Sequence, residues 1–169
     1  MKRIAILSAV LLALPALADN GHAHGSRIQG HLLGYNEVPA VSSTANGHFT
    51  GMLSDDGLSL SWVLQFSGLS SAVQQAHIHF AQRAVNGPIV VWLCGTTANP
   101  GPAGTQTCPQ EGTITGIITA ANVLASPASQ QLAAGDFAEL VAAMRSGVAY
   151  ANVHTAISPG GEIRGQLSR

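Results

Sequence analysis

A pattern of alternating residues recurs along the chain and predicts strands. Residues 47–53, 112–118 and 161–167 each read Gly-x-apolar-x-Gly-x-apolar, and residues 27–32 form a partial fourth copy. A period of two is typical of β-strands, and it places the glycines and the apolar residues on one face. Glycine inside a strand usually marks a bulge or the close approach of another backbone. We therefore expect tight packing between two sheets at these positions.

Three further segments are also predicted to be strands. Residues 58–66 alternate cleanly after the turn residues Asp55-Asp56-Gly57, and residues 88–94 form an almost continuous apolar run that should be deeply buried. Asn86-Gly87 precedes that run and is a hairpin signal. It predicts pairing of the apolar run with a strand over residues 76–80.

One helix is predicted between residues 136 and 147. Asp136 and Glu139 have the spacing of a capping box, apolar residues follow at helical spacing, and Gly147 can end the helix. Many short strands with turn signals and one helical crossover describe an all-β fold. We predict an antiparallel immunoglobulin-like or superoxide-dismutase-like β-sandwich with one short crossover helix.

The first residues predict export. Lys2 and Arg3 precede an apolar run that ends near Leu14, and Ala16-Leu17-Ala18 is a small-residue cleavage site. We therefore assign residues 1–18 to a signal peptide, 19–26 to a flexible leader and 27–169 to one domain. No second apolar stretch has the length of a membrane span, so the mature protein is predicted to be periplasmic or secreted.

Charge argues against two classes of partner. Of the 7 basic and 8 acidic residues, two basic residues lie in the predicted signal peptide, which leaves the mature chain slightly acidic and without lysine. Binding of nucleic acid or anionic lipid needs clustered positive charge. We therefore expect no nucleic-acid partner.

The chain has two cysteines, Cys94 and Cys108. An isolated even pair in an exported protein is most simply a disulfide. The bridge would close a loop rich in Gly, Pro, Thr and Asn, and metal ligation by the two thiols is the weaker alternative.

The run Ala76-His77-Ile78-His79-Phe80 supplies the candidate functional residues. On a strand both imidazoles share a face, and His154 lies in a second alternating segment. Neutral imidazoles are good ligands for copper and zinc. We predict a metal site formed by His77, His79 and His154, with a fourth position for water, a substrate or a further ligand such as Glu162. In the alternative interpretation two of the histidines are surface residues and His154 anchors the following loop.

Structural roles are predicted for Asn152, Thr155 and Arg164, because Asn and Thr side chains commonly satisfy backbone groups in tight turns such as residues 155–161. Glu162 and Arg164 share a face if their segment is a strand, and could pair with each other or with Arg83.

Four other histidines carry weaker signals. His22 and His24 form a second His-x-His in the leader, which can collect metal ions but is more simply a solvated end. His31 and His48 are expected to be exposed on the polar faces of their strands.

Three segments together resemble the CHRD domain, the module named after the chordin proteins and also found in exported bacterial proteins. The first runs from Ala76 to Cys94, the second is the Gly135-Asp136-Phe137 helix start, and the third runs from Ala149 to Leu167. Within the third, Tyr-x-Asn-x-His-Thr followed by Pro-Gly-Gly-Glu-Ile-Arg-Gly is the most specific part. The resemblance implies the β-sandwich and carries no general catalytic activity.

The predicted function is that of an exported non-catalytic CHRD-domain protein that binds copper or zinc through the His-x-His strand. The second interpretation is a protein-interaction or structural module, with an unidentified protein partner and incidental histidines. The third is a metalloenzyme with dismutase-like chemistry. A short likeness to the copper-binding strand of copper–zinc superoxide dismutase suggests it, but that enzyme's bridging histidine and zinc ligands cannot be placed here.

Overall fold

The structure, a computed structural model, describes residues 27–169. The predicted signal peptide and leader, with His22 and His24, lie outside the described residues.

Within residues 27–169, eight antiparallel strands form one continuous sheet, and one short α-helix precedes the seventh strand. The elements are β1 (Arg27–Leu33), β2 (Asn46–Leu53), β3 (Leu60–Ser67), β4 (Val73–Phe80), β5 (Ile89–Cys94), β6 (Gly112–Ile118), α1 (Phe137–Arg145), β7 (Ala149–Thr155) and β8 (Ile163–Leu167). Their order in the sheet is β5-β4-β7-β8-β1-β2-β3-β6. The predicted antiparallel all-β class with a short helix is confirmed, and the sheet curls into a nearly closed barrel.

The repeated glycine pattern forms strands as predicted, but the glycines serve a different purpose from the one expected. A Cβ on Gly30 would lie 2.8 Å from Leu167 Cδ2, and one on Gly116 would lie 2.7 Å from the Trp62 ring. Leu167 and Trp62 belong to strands that neighbour these glycines in the same sheet. The expectation of contact between two sheets was therefore wrong, because the missing side chains make room for in-sheet neighbours on the concave face.

The sheet is closed by a loop rather than by strand pairing. The predicted Cys94–Cys108 disulfide is present. Within the loop that it closes, the side-chain nitrogen Nε2 of Gln106 donates to Leu93 O of β5 at 3.1 Å and to Thr115 O of β6 at 3.0 Å. A loop of this length contributes about 3 kcal/mol when crosslinked, in the chain-entropy model. Beside this contact lies a cleft of about 370 Å³ bordered by Trp62 and Trp92.

The helix begins and ends where the sequence predicts. The Asp136 side chain accepts a hydrogen bond from Glu139 N at 3.4 Å, which is the expected N-terminal cap. Gly147 follows the helix at φ +71°, a conformation that favours glycine. The buried face of α1 packs onto the core through Phe137, Leu140 and Met144.

Strands β4 and β5 pair as predicted, but Asn86-Gly87 is not their turn. The connection spans residues 81–88, and the Asn86 side chain donates to Val38 O at 3.0 Å in the loop after β1. Gly87 O instead contacts the His79 ring. Asn86 and Gly87 therefore tie the connection between β4 and β5 to the loop after β1 and to the His79 ring.

Strand β7 is buried along its whole length. Its inward residues, such as Val153, join the apolar core, while its outward residues Tyr150, Asn152 and His154 are covered by loops. The candidate site lies on this covered outer face, away from the core. Within the described residues, no helix has the length and apolar character needed to cross a membrane.

Candidate metal centre

Pairing of β4 with β7 brings the three predicted histidines together. On the paired strands, Asn152 of β7 lies opposite His77 of β4, and His154 of β7 lies opposite Gln75 of β4. Gln75 comes two positions before His77, so His154 lies on the same face of the sheet as His77. One ring nitrogen from each of His77, His79 and His154 falls within 4.8 Å of the others. The three side chains are almost fully buried, at 0%, 7% and 5% exposure. The alternative with two surface histidines does not describe this arrangement.

Backbone carbonyls fix the tautomers of two of these rings. His79 Nδ1 lies 2.8 Å from Gly87 O, and His154 Nδ1 lies 2.9 Å from Pro159 O. Because a carbonyl only accepts, each Nδ1 carries the proton and each neutral ring leaves its Nε2 with a lone pair. A histidine that donates its other ring N–H to a carbonyl is the usual arrangement around a bound metal ion.

The remaining ring nitrogens are not all satisfied. His77 Nδ1 lies 3.1 Å from His154 Nε2, whereas the Nε2 atoms of His77 and His79 are buried without a hydrogen-bond partner. Buried polar atoms are paired in most proteins, so each exception needs an explanation. A cation among the rings would provide one for lone pairs that face it.

Burial keeps the rings neutral. It lowers the pKa of His77 far below its usual range, with smaller contributions from His154 and His79. Burial likewise lowers the pKa of His79 to about 4, against an opposing hydrogen bond to Gly87, and lowers that of His154. Since only neutral imidazole has a lone pair for a metal ion, the cluster is ready to bind at neutral pH without losing protons to solvent.

Aromatic contacts hold the rings in place. Tyr150 stacks on His79 with ring centroids 4.7 Å apart and planes 2° apart. The Arg164 guanidinium carbon lies 3.3 Å from the Tyr150 ring centroid. Trp92 packs nearly perpendicular to His77 at 4.2 Å. Rings packed in this way lose little further freedom when they bind a ligand, which favours affinity.

Glu162 does not join the cluster, and its prediction as a fourth ligand is corrected. Its two carboxylate oxygens accept hydrogen bonds of 2.7–2.9 Å from Ser43 Oγ, Ser70 N, Ser70 Oγ and Thr155 Oγ1. Glu162 precedes β8, so strand alternation does not apply to it. Its carboxylate meets Thr155, which points to the face opposite that of His154.

Arg164 holds the connection between β4 and β5 and pairs with neither Glu162 nor Arg83. The guanidinium donates hydrogen bonds of 2.8–3.3 Å to Gln82 O, Val85 O and Asn86 Oδ1. This contact keeps Gly87 in position for its bond to His79. Thr155 binds Glu162 and also accepts a hydrogen bond from Ser158 N at 3.3 Å in the following turn.

Sequence reasoning missed Glu37. This residue of the loop after β1 is 6% exposed, and its Oε1 has no hydrogen-bond partner. Burial raises its pKa to about 7, although Arg164, the Val38 N–H and the Asn152 side chain each lower it. Glu37 belongs to no motif or periodic segment, so only the folded arrangement could identify it.

The other described histidines are exposed as expected. His31 and His48 lie opposite each other on β1 and β2 with ring centroids 5.8 Å apart. They lie outside the buried cluster and provide a natural control for experiments on it.

Comparison with known proteins identifies the family. The sequence model of the CHRD domain matches residues 28–167, which is nearly the whole described chain. No curated protein and no solved structure gives a significant match. CHRD domains are extracellular-type, non-enzymatic modules, and the disulfide agrees with export. From residue 28 to residue 167 the chain is a CHRD domain, and the protein belongs to the CHRD domain family.

Proposed function

We propose that this protein is an exported, non-catalytic CHRD-domain protein that binds one copper or zinc ion through His77, His79 and His154. The observation that carries the proposal is the buried convergence of three imidazole nitrogens within 4.8 Å. Metal–nitrogen bonds near 2 Å require ligand atoms about 3–4 Å apart, so small rotations of the rings close the site.

Two further observations support it. The carbonyl contacts of His79 and His154 leave both Nε2 atoms unprotonated, and no ionisable group other than histidine belongs to the three-residue cluster in the described part of the chain. Imidazole ligands suit copper and zinc better than magnesium or calcium, which prefer oxygen. The donor types therefore favour the two metals named.

Calorimetric titration with Cu²⁺ and Zn²⁺ tests the proposal. Every protein carries His22→Ala plus His24→Ala, so that the leader does not contribute. We expect one ion per chain, with affinity at least about 100-fold weaker in His77→Ala plus His79→Ala, since loss of outer-sphere partners alone costs 10–100-fold. His31→Ala plus His48→Ala is the matched control and should bind as the parent does. Equal affinity in the parent and the His77/His79 variant would falsify the proposal.

A second candidate function is that of an extracytoplasmic protein-interaction module, favoured by an exposed apolar patch on β2, β3 and β6. Met52, Val63 and Ile117 are 43%, 41% and 64% exposed on β2, β3 and β6. Exposed apolar residues on neighbouring strands favour contact with another protein. A second copy of the chain is the first partner to test. Sedimentation should then show a dimer that Ile117→Lys dissociates, and a monomer at all concentrations would exclude this partner.

A further inference from the structure

We propose that Asn152 Oδ1 is a fourth donor, so that the ion is held by three imidazole nitrogens and one amide oxygen. This inference rests on the proposed function and adds to it the composition of the ligand set. It replaces the carboxylate that the sequence suggested with a neutral oxygen from β7 itself.

Two hydrogen-bond acceptors face each other in the cluster. Asn152 Oδ1 lies 3.0 Å from His154 Nε2, and both atoms are buried. The His154 proton is on Nδ1, where it is donated to Pro159 O, so Nε2 has none, and an amide oxygen has none either. In the metal-free protein His77 Nδ1, 3.1 Å away, is the donor to His154 Nε2. That proton does not lie between Nε2 and Asn152 Oδ1, so these two atoms repel each other unless a cation lies between them. A metal ion bound to both atoms turns the repulsion into attraction.

The spacing suits a shared ion. With metal–ligand bonds of 2.0–2.2 Å, two donors in a tetrahedral site lie about 3.3 Å apart. His154 Nε2 is 3.0 Å from Asn152 Oδ1 and 3.1 Å from His77 Nδ1. Both separations need to widen by only a few tenths of an ångström.

Glu37 is the positioning residue for the amide. Asn152 Nδ2 and Glu37 Oε1 both border the space where a side chain on Gly161 would lie, and a Cβ there would be 2.8 Å from Nδ2. With Nδ2 directed at the carboxyl group, Oδ1 faces His154. When Glu37 is ionised, the opposite orientation would place Oδ1 against a carboxylate oxygen. Gly161, at φ +124°, is what allows the two side chains to meet.

The ligand set has a consequence for function. Three nitrogens and one oxygen complete a tetrahedral shell, and catalytic zinc sites instead keep one position open for water or substrate. A closed shell fits storage or transport of the ion and disfavours dismutase-like chemistry. The mixed donors suit divalent copper or zinc.

Solvent-proton relaxation of the Cu²⁺-loaded protein tests this inference, in the background without His22 and His24. In the parent, Asn152 fills the fourth position, so relaxation should be no faster than expected for Cu²⁺ without bound water. In Asn152→Ala, a water molecule can take the vacated space, and we expect faster relaxation and about tenfold weaker binding. Asn152→Asp keeps an oxygen donor and should restore affinity to within threefold of the parent, again with slow relaxation.

Two results would overturn the inference. One is a rapidly exchanging water on copper in the parent, a measurement that needs no variant. The other is an Asn152→Ala protein that binds Cu²⁺ within threefold of the parent and relaxes solvent equally slowly. Failure of the proposed function is distinct from both, because the parent would then bind no more tightly than His77→Ala plus His79→Ala.

Discussion

Two buried carboxyl groups on this domain have opposite surroundings. Glu162 is 0% exposed and Glu37 is 6% exposed, so burial alone does not separate them. Burial acts to raise the pKa of Glu162, but hydrogen bonds from Ser43, Thr155 and Ser70 outweigh it and lower the pKa. Glu37 has few such donors, and burial raises its pKa to about 7. The supply of hydrogen bonds therefore decides which charge the fold tolerates.

The contrast separates a structural region of the domain from the candidate metal site. Every oxygen of the Glu162 carboxylate is paired, and the residues around it join three loops. Around the histidine cluster, Glu37 Oε1, His77 Nε2 and His79 Nε2 are buried without partners. A fully paired network stabilises a fold, whereas unpaired buried atoms reduce its stability and are kept where they serve a ligand.

The largest predicted effect is the loss of stability when Glu162 and its hydrogen bonds are removed. Glu162→Ala should lower the free energy of unfolding by about 4 kcal/mol, since hydrogen bonds to a charged group contribute about 1.5–3 kcal/mol each and their donors would be left unpaired. Urea unfolding of the metal-free protein measures this. Glu162→Gln, which keeps the shape, should lose about 2 kcal/mol. Copper affinity of either folded variant should match the parent, and weaker binding would place Glu162 in the metal site after all.

The next prediction concerns acid sensitivity of the histidine cluster. The pKa of His79 falls from 6.5 to about 4 on folding, so the unfolded chain binds more protons between these values. Stability contributed by this residue is therefore complete above pH 6.5 and is lost as the pH falls toward 4, by about 3 kcal/mol at 1.36 kcal/mol per pKa unit.

Urea unfolding of the metal-free protein at pH 7 and pH 4.5 measures the loss. His79→Phe, which keeps a ring against Tyr150, should show a smaller difference between the two pH values. His31→Ala plus His48→Ala should leave the difference unchanged. If His79→Phe and the parent lose the same stability, the cluster is not the source of the acid sensitivity.

The last prediction concerns Glu37, whose effect on stability is of similar size to that of His79 and depends on pH in the opposite direction. Its pKa rises from 4.5 to about 7 on folding, so folding favours the protonated form and stability falls as the pH rises through this window. Glu37→Gln cannot ionise and should gain about 3 kcal/mol relative to the parent at pH 8, at 1.36 kcal/mol per pKa unit, and about zero at pH 4.5. Urea unfolding of Glu37→Gln and of the parent at the two pH values tests this. An equal gain in stability at both pH values would show that ionisation of Glu37 is not the cause.

Local patterns predicted much of the fold, because alternation and capping act over a few residues. The strands with repeated glycines, the Asp136 cap and the Cys94–Cys108 bridge all follow from such patterns. The curl of one sheet does not, since it depends on which strands become neighbours, as Gly30 beside Leu167 shows.

The candidate site divides in the same way. Alternation placed His77 and His79 on one face, but only pairing of β4 with β7 brings His154 to them. The Glu162 prediction failed because the residue lies just before β8, where a period of two no longer holds. Glu37 and the carbonyls of Gly87 and Pro159 come from loops, whose conformations depend on tertiary contacts that a sequence pattern does not reveal.

Gln106 links closure of the barrel to the Cys94–Cys108 disulfide. Its side-chain amide joins β5 and β6, and it lies two residues before the disulfide cysteine Cys108. Backbone hydrogen bonds from Gly95 N to Gln106 O and from Cys108 N to Gly95 O hold the same segment to the end of β5. The disulfide therefore reinforces a segment that the backbone already positions, and its reduction would loosen the link between β5 and β6 without abolishing it.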